Sequence, residues 1–261
     1  MKIAFFDSGI GGLSVLHHAM HVLPGEEFVF FADEDHVPYG TKSQEEVMGF
    51  VDEAFRFLIS MEVDAIVVAC NTATSVAAQE MRSRYALPII GMEPAAKRAL
   101  DLYGNRRVLV TATPITVKGK KMQSLMEQVD KNHLIDLLPL PMLVEFAERQ
   151  EFASETVEDY LKKAFSPYDF SVYSSVVLGC THFNYFKDTM RKLLPEHVKL
   201  VDGNEGTVRE LVRRLPQREG TPSGTASEVE YFYSGRRVEQ AEERERLRCY
   251  LRRLDEMYVI E

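Results

Sequence analysis

The chain carries only three cysteines in 261 residues, Cys70, Cys180 and Cys249. They are too few and too far apart for a disulfide scaffold and lack the paired spacing of a zinc site, so free thiols in a reducing compartment are expected. Long apolar runs are missing too: none approaches the roughly 20 residues needed to cross a bilayer. The opening "MKIAFFDSG" is strand-like and too short for the apolar segment of a signal peptide. A cytoplasmic protein with no membrane partner follows. Positive charge is scarce, with 31 basic against 40 acidic residues and a net charge of −9. Binding a phosphate backbone needs a concentrated basic surface, so no nucleic-acid partner is expected. Heptad arrays and low-complexity tracts are absent as well.

What is present is a hydrophobic content of 45%, enough for one large core or two smaller ones, and the length favours two domains. Short apolar runs alternate with amphipathic helical patterns. "KIAFF", a helix from about Gly12 to Val22, "EFVFFAD", a helix from about Gln44 to Met61, "DAIVVAC", a helix after Asn71 and "LPIIGM" read as successive βα units. Such a rhythm implies a parallel sheet covered on both faces. It restarts with "EPAAKRALDLY" as a helix, "RRVLVTAT", a helix from about Ile115 to Val129, "LIDLLPLP", a helix near Ala153 to Ala164, "SSVVLGC" and "VKLVDG".

Asp7, ending the opening strand, lies 63 positions before Cys70, and Thr113, ending its counterpart, lies 67 before Cys180. That spacing suggests related halves. "PQREGTPSGTASE" from Pro216 to Glu228 reads as a loop. After it, "VEYFYSG" alternates like a strand and "RVEQAEERERLRCYLRRL" reads as a charged helix, a tail expected to return to the first sheet. The fold class is therefore α/β: two similar parallel-sheet domains facing across a central cleft and related by a pseudo-twofold axis. The domains are residues 1–92 plus 206–261, which is discontinuous, and 93–205.

Two apolar strands end in a cysteine followed by polar donors: "DAIVVACNTAT" and "SSVVLGCTHF". In open parallel sheets, ligands collect beyond the carboxyl ends of the strands, where helix N-termini present free N–H groups. Asp7, Cys70, Thr113 and Cys180 should all sit there, with the two cysteines reaching a small ligand from opposite sides. A thiolate on one face can remove a proton while a thiol on the other returns one, which inverts a stereocentre. Each cysteine also begins a helix, whose dipole favours thiolate and lowers the pKa from about 8.5 toward neutrality. The competing reading is that each is a small residue packed in the core; it leaves the pairing without a purpose. Asp7 and His182 are the nearest partners for tuning the thiols, although Asp7 also suits a helix cap and His182 a packing role.

"FFDSGIGGLSVL", "VPYGTKS", "ACNTAT" and "LGCTHF" together resemble the signature blocks of the glutamate racemases, in the aspartate/glutamate racemase superfamily, and "IIGMEPA" and "PMLVEFAE" look like further family segments. The resemblance runs in order through most of the chain. It implies racemisation of L- and D-glutamate without any cofactor, supplying D-glutamate for peptidoglycan. By position it makes Cys70 and Cys180 the proton carriers and puts Asp7, Ser8, Pro38, Tyr39, Gly40, Asn71, Thr72, Thr181 and His182 at the substrate. Thr113 joins them from its strand end, and Thr116 falls near a substrate-contacting threonine, although "TATPITV" departs from the commoner glycine-threonine pattern. Glu145 matches an acidic position near the second cysteine. The resemblance also makes a homodimer the expected assembly. Because the first strand begins at once, activation by a cell-wall precursor through an N-terminal extension is not expected.

No strand-end motif supplies an arginine for an acidic substrate, so its carboxylates must be met by backbone N–H groups and by Ser8, Asn71, Thr72 and Thr181. Rival readings remain. "DSGIGGLS" suggests a dinucleotide loop with Asp33 as ribose contact, but Ser14 occupies the third glycine position of G-x-G-x-x-G. An amino-acid-binding module without catalysis would also fit two domains around a cleft. Aspartate differs from glutamate by one methylene, which a pocket discriminates only modestly. His17, His18 and His21 have helical spacing but no evident acidic partner, so no metal is expected.

Overall fold

The computed structural model describes residues 1–92, 95–103, 106–216 and 228–260. The expected loop from Pro216 to Glu228 falls, apart from those two residues, outside the described residues, as do Glu93 and Pro94 of the helix predicted from "EPAAKRALDLY".

Among the described residues, ten strands form two sheets. The first contains β1 (Lys2–Asp7), β2 (Glu27–Ala32), β3 (Ala65–Val68), β4 (Ile89–Gly91), β9 (Glu228–Tyr233) and β10 (Arg236–Arg237), in the order β10-β9-β2-β1-β3-β4. The second contains β5 (Arg107–Ala112), β6 (Ile135–Pro139), β7 (Tyr173–Leu178) and β8 (Lys199–Val201), in the order β6-β5-β7-β8. All pairings are parallel except β10 on β9. Leaving the tail aside, both sheets run second-first-third-fourth, so β1 corresponds to β5 and β3 to β7. This is the fold class expected from the βα rhythm.

Side chains alternate between the two faces of a strand. Ile3 and Phe5 of β1 enter a core that also holds Leu109 of β5 and Val176 and Leu178 of β7. Ala4 and Phe6 point the other way, against Val47, Val51 and Phe55 of the helix Gln44–Ser60. The outer face of the second sheet buries Val108, Val110 and Val177 with Ala96 and Ala99 of the helix Ala95–Tyr103. One core is thus common to both sheets, and each sheet has a second core outside it.

The predicted helix from Ile115 to Val129 is two helices, Pro114–Lys118 and Lys120–Val129, separated by an extended Gly119. The tail returns as expected: β9 pairs with β2 along its whole length. The final helix, Ala241–Met257, buries Leu247, Tyr250, Leu254 and Met257, a helical stripe, while its charged residues face outward. It packs against the helix Leu13–Val22 and the tight 3-10 turns of Thr181–Phe186. Those turns follow β7, so the last helix lies beside the segment just after Cys180.

Candidate active site

Cys70 is the residue at which β3 turns into the helix Asn71–Val76. Its sulfur accepts from the Ala73 amide at 3.4 Å, and its thiol donates to Ser8 Oγ at 3.6 Å. Ser8 in turn donates to Asp7 Oδ1 at 3.1 Å. The helix start was expected to lower this thiol. The structure shows the reverse: burial, reinforced by the charge of Asp7, pushes it well up against the weaker pull of Ala73 and Ser8. A helix of six residues supplies a small dipole, and removing a sulfur from water costs more than that dipole returns.

Cys180 holds the matching position beyond β7, before the turns Thr181–Phe186. Its surroundings differ. His182 Nδ1 lies 3.7 Å from the sulfur, and His182 Nε2 lies 2.6 Å from Glu148 Oε1. Burial opposes charge on this imidazole, yet the bonds to Cys180 and Glu148 outweigh it and hold His182 well above its ordinary value. Burial likewise pushes Glu148 up, but the His182 contact, the Ile10 amide and Arg246 bring it below the usual carboxylate range.

Asp7, fully buried at the end of β1, connects the two sides. Besides the Ser8 hydroxyl, it accepts the Gly9 amide at 3.3 Å on Oδ1 and the Thr181 hydroxyl at 2.8 Å on Oδ2. Burial raises its carboxyl, while the charge of His182 and these three donors pull it back. Local turn and site role coincide in this residue.

The glycines of "DSGIGG" are explained by crowding. A Cβ on Gly11 would strike His182 Nδ1 and stand 2.5 Å from Thr181 Oγ1, and one on Gly12 would stand 2.5 Å from Asp7 Cβ. The loop lets the two cysteine-bearing halves close together, and no phosphate is needed to account for it. Asp33, the ribose candidate, is taken up by Tyr39 Oη at 2.6 Å, Ser234 Oγ at 2.8 Å and the His36 ring at 2.9 Å.

Thr72, Thr113 and Thr116 form a buried hydroxyl triangle, with Thr72 to Thr113 and Thr113 to Thr116 both 3.0 Å and Thr72 to Thr116 3.3 Å. It joins the helix after Cys70 to the end of β5. Gly40, which follows Pro38 and its cis peptide bond, packs directly on Thr113. Asn71 Nδ2 is buried without a hydrogen-bond partner among the described residues. Ser8 and His182 thus contact the two sulfurs and Asp7 joins Ser8 to Thr181, while Asn71 and Thr72 follow Cys70 in sequence, Thr113 and Thr116 bond Thr72, and Gly40, after Pro38 and Tyr39, sits on Thr113.

Glu145 does not join them. It is exposed, whereas Glu148, one turn later on the helix Met142–Glu148, reaches His182. Leu143, Val144, Phe146 and Ala147 are the buried positions of that helix, which leaves residue 145 on its outer face while residue 148 follows Leu143, Val144 and Ala147 inward. That pattern was available in "PMLVEFAE". Arg246 and Glu34 also went unnoticed, since nothing in the local sequence links a tail-helix arginine to an acid 98 residues earlier. His17 pairs with Asp255 at 2.7 Å and His21 stacks on Tyr258. Among the described residues, no group of three His, Cys, Asp or Glu side chains is arranged to hold a metal. Cys249 lies on the final helix, 3.1 Å from Arg252.

Two thiols stand at equivalent strand ends and are linked through one buried carboxylate, and the chain agrees with the Asp/Glu/Hydantoin racemase family model over residues 14–211. The chain belongs to this family. It is 50% identical to the glutamate racemase of Campylobacter curvus over 266 residues, covering 100% of both chains. Its fold matches the crystal structure of glutamate racemase from Campylobacter jejuni with a TM-score of 0.83, 26% identity and coverage of 97% and 98%. It also matches Escherichia coli glutamate racemase in complex with L-glutamate and the activator UDP-MurNAc-Ala, at a TM-score of 0.80, 29% identity and coverage of 97% and 94%.

Proposed function

We propose that this protein interconverts L- and D-glutamate by two-base proton transfer between Cys70 and Cys180, without a cofactor, and so supplies D-glutamate for peptidoglycan. One observation carries the reading: Asp7 accepts from Ser8, the acceptor of the Cys70 thiol, and from Thr181, the neighbour of Cys180. In one direction a thiolate takes the α-proton from one face of the substrate, and the opposite thiol gives its proton to the other face. One Cα–H bond breaks and another forms, so no electrons are gained or lost.

The substrate carboxylates are met by N–H groups at the helix start after Cys70, by the unpartnered Asn71 amide, and by Ser8, Thr72 and Thr181. Negative charge developing on Cα and the adjoining carboxylate is stabilised by these prepositioned donors where water is excluded. His182 holds a proton against Cys180, and Glu148 orients the ring. In this reading, residues 1–92 with 206–261 and residues 93–205 are the two halves, and their separation admits substrate. The protein works in the cytoplasm as a homodimer; no helix among the described residues is long and apolar enough to span a membrane.

The test is incubation with L-glutamate, and separately with L-aspartate, in D₂O without added cofactor, following α-deuterium and optical activity together. Exchange with loss of rotation on glutamate alone is expected. The same result on aspartate alone would change the substrate, and no exchange on either would overturn the reading in favour of a binding protein.

A further inference from the structure

Beyond the residues that face substrate, a second row of charges stands behind Cys180. Arg246 of the final helix bonds Glu148 Oε2 at 3.1 Å and Glu34 Oε2 at 3.1 Å, and it also donates to the Glu148 carbonyl at 3.3 Å. Its guanidinium lies 5.7 Å from the Tyr233 ring centre and 5.6 Å from that of Tyr250. Glu148 uses its other oxygen for His182 and the Ile10 amide. The two carboxyl groups are 13% and 16% exposed, so two acids are enclosed around one cation. Glu34 Oε1 is buried with no partner among the described residues, and so is Tyr233 Oη. Groups from five places in the fold meet here: Glu34 beyond β2, Glu148 from the helix Met142–Glu148, His182 from the turns after β7, Arg246 and Tyr250 from the final helix, and Tyr233 at the end of β9.

We propose that Arg246 is a positioning residue for the Cys180 half of the reaction: it keeps Glu148 ionised beside Glu34, and Glu148 holds His182 against the Cys180 sulfur. The inference rests on the two-thiol reading above. It makes the tail helix part of the machinery, although no atom of that helix touches the sulfur. Glu34 sets the load on Arg246. Burial and the charge of Glu148 raise it to about 7 against the pull of Arg246, so near neutrality it is the member of the pair that takes up a proton. Glu148 thereby keeps its charge.

Removing the cation should leave Glu148 with only His182 and the Ile10 amide to hold its charge, and losing an opposite charge at this distance moves a carboxyl by about 1–3 pH units. In R246M the acidic limb of kcat should therefore move up by about one unit or more, with KM unchanged because Arg246 does not touch substrate. R246K should move it less, in the same direction. E34Q should leave it in place, because Glu34 already carries a proton over that range. Alkylation by iodoacetamide gives a reading independent of turnover. In R246M the rate at Cys180 relative to Cys70 should drop about threefold or more at pH 6 and stay unchanged at pH 8.

If R246M does not fold, R246K decides by the same two measurements. A uniform loss of activity with unmoved limbs and an unchanged alkylation ratio would overturn the proposal. Wild-type protein that racemises neither amino acid, yet shows the predicted alkylation ratios, would remove the substrate reading and leave the positioning role standing.

Discussion

The two cysteines occupy the same place in two copies of one strand order, and their environments are opposite. Cys70 is surrounded by neutral donors and acceptors, Ser8 and the Ala73 amide, with Asp7 nearby, and its thiol is pushed up. Cys180 faces an imidazole held well above its ordinary value, backed by a carboxylate and then an arginine. Topology therefore sets where the sulfurs stand, and the side chains beside each set what each can do. The tail is the part without a counterpart: β9 and β10 extend only the first sheet, yet the final helix packs on the turns after Cys180 and brings Arg246 to Glu148.

The largest test of this comparison is loss of either sulfur. Cys70→Ala and Cys180→Ala should each reduce racemisation by about 10³-fold or more with the fold retained, since each direction needs both proton carriers. Stopped exchange with an unchanged circular dichroism spectrum is the expected result, and near-normal turnover in either would break the pairing. His182→Asn should act on one side only: roughly a 10²-fold fall in kcat, with the alkylation rate of Cys70 unaltered.

Glu34 separates the sides by stability. Its carboxyl is raised from 4.5 to about 7 in the folded protein, so the folded state keeps a proton that the unfolded chain releases. That contribution is complete below about pH 4.5 and is lost as pH rises through about 7. Glu34→Gln should flatten the decline of unfolding free energy between pH 5 and pH 8 by about 2 kcal/mol, measured by urea titration. The smallest effect is expected on the Cys70 side. Thr113→Val breaks the hydroxyl triangle and should raise KM by about tenfold, the worth of one buried hydrogen bond.

Much of this was legible because it is local or periodic. Each strand except the short β10 announced itself as an apolar run, each cysteine stood at the end of one, and the polar residues following them could only lie at the helix starts. The tail's return to the first sheet was foreseeable from its alternating "VEYFYSG". What escaped was non-local or balanced. The rise of the Cys70 thiol depends on how completely the sulfur is enclosed, which strand position does not reveal. Glu148 was passed over for Glu145 because a three-residue choice on a short helix is settled by which face meets the core. The Arg246 link joins segments whose proximity exists only once both sheets and the last helix have assembled.

The order in which the chain is made gives that last helix a further meaning. Both sulfurs, Asp7 and His182 lie within residues 7–182, whereas Arg246 follows 64 residues after His182. Domains fold largely from the N-terminus as synthesis proceeds. A nascent chain thus contains both thiols before the cation beside Glu148 has been made.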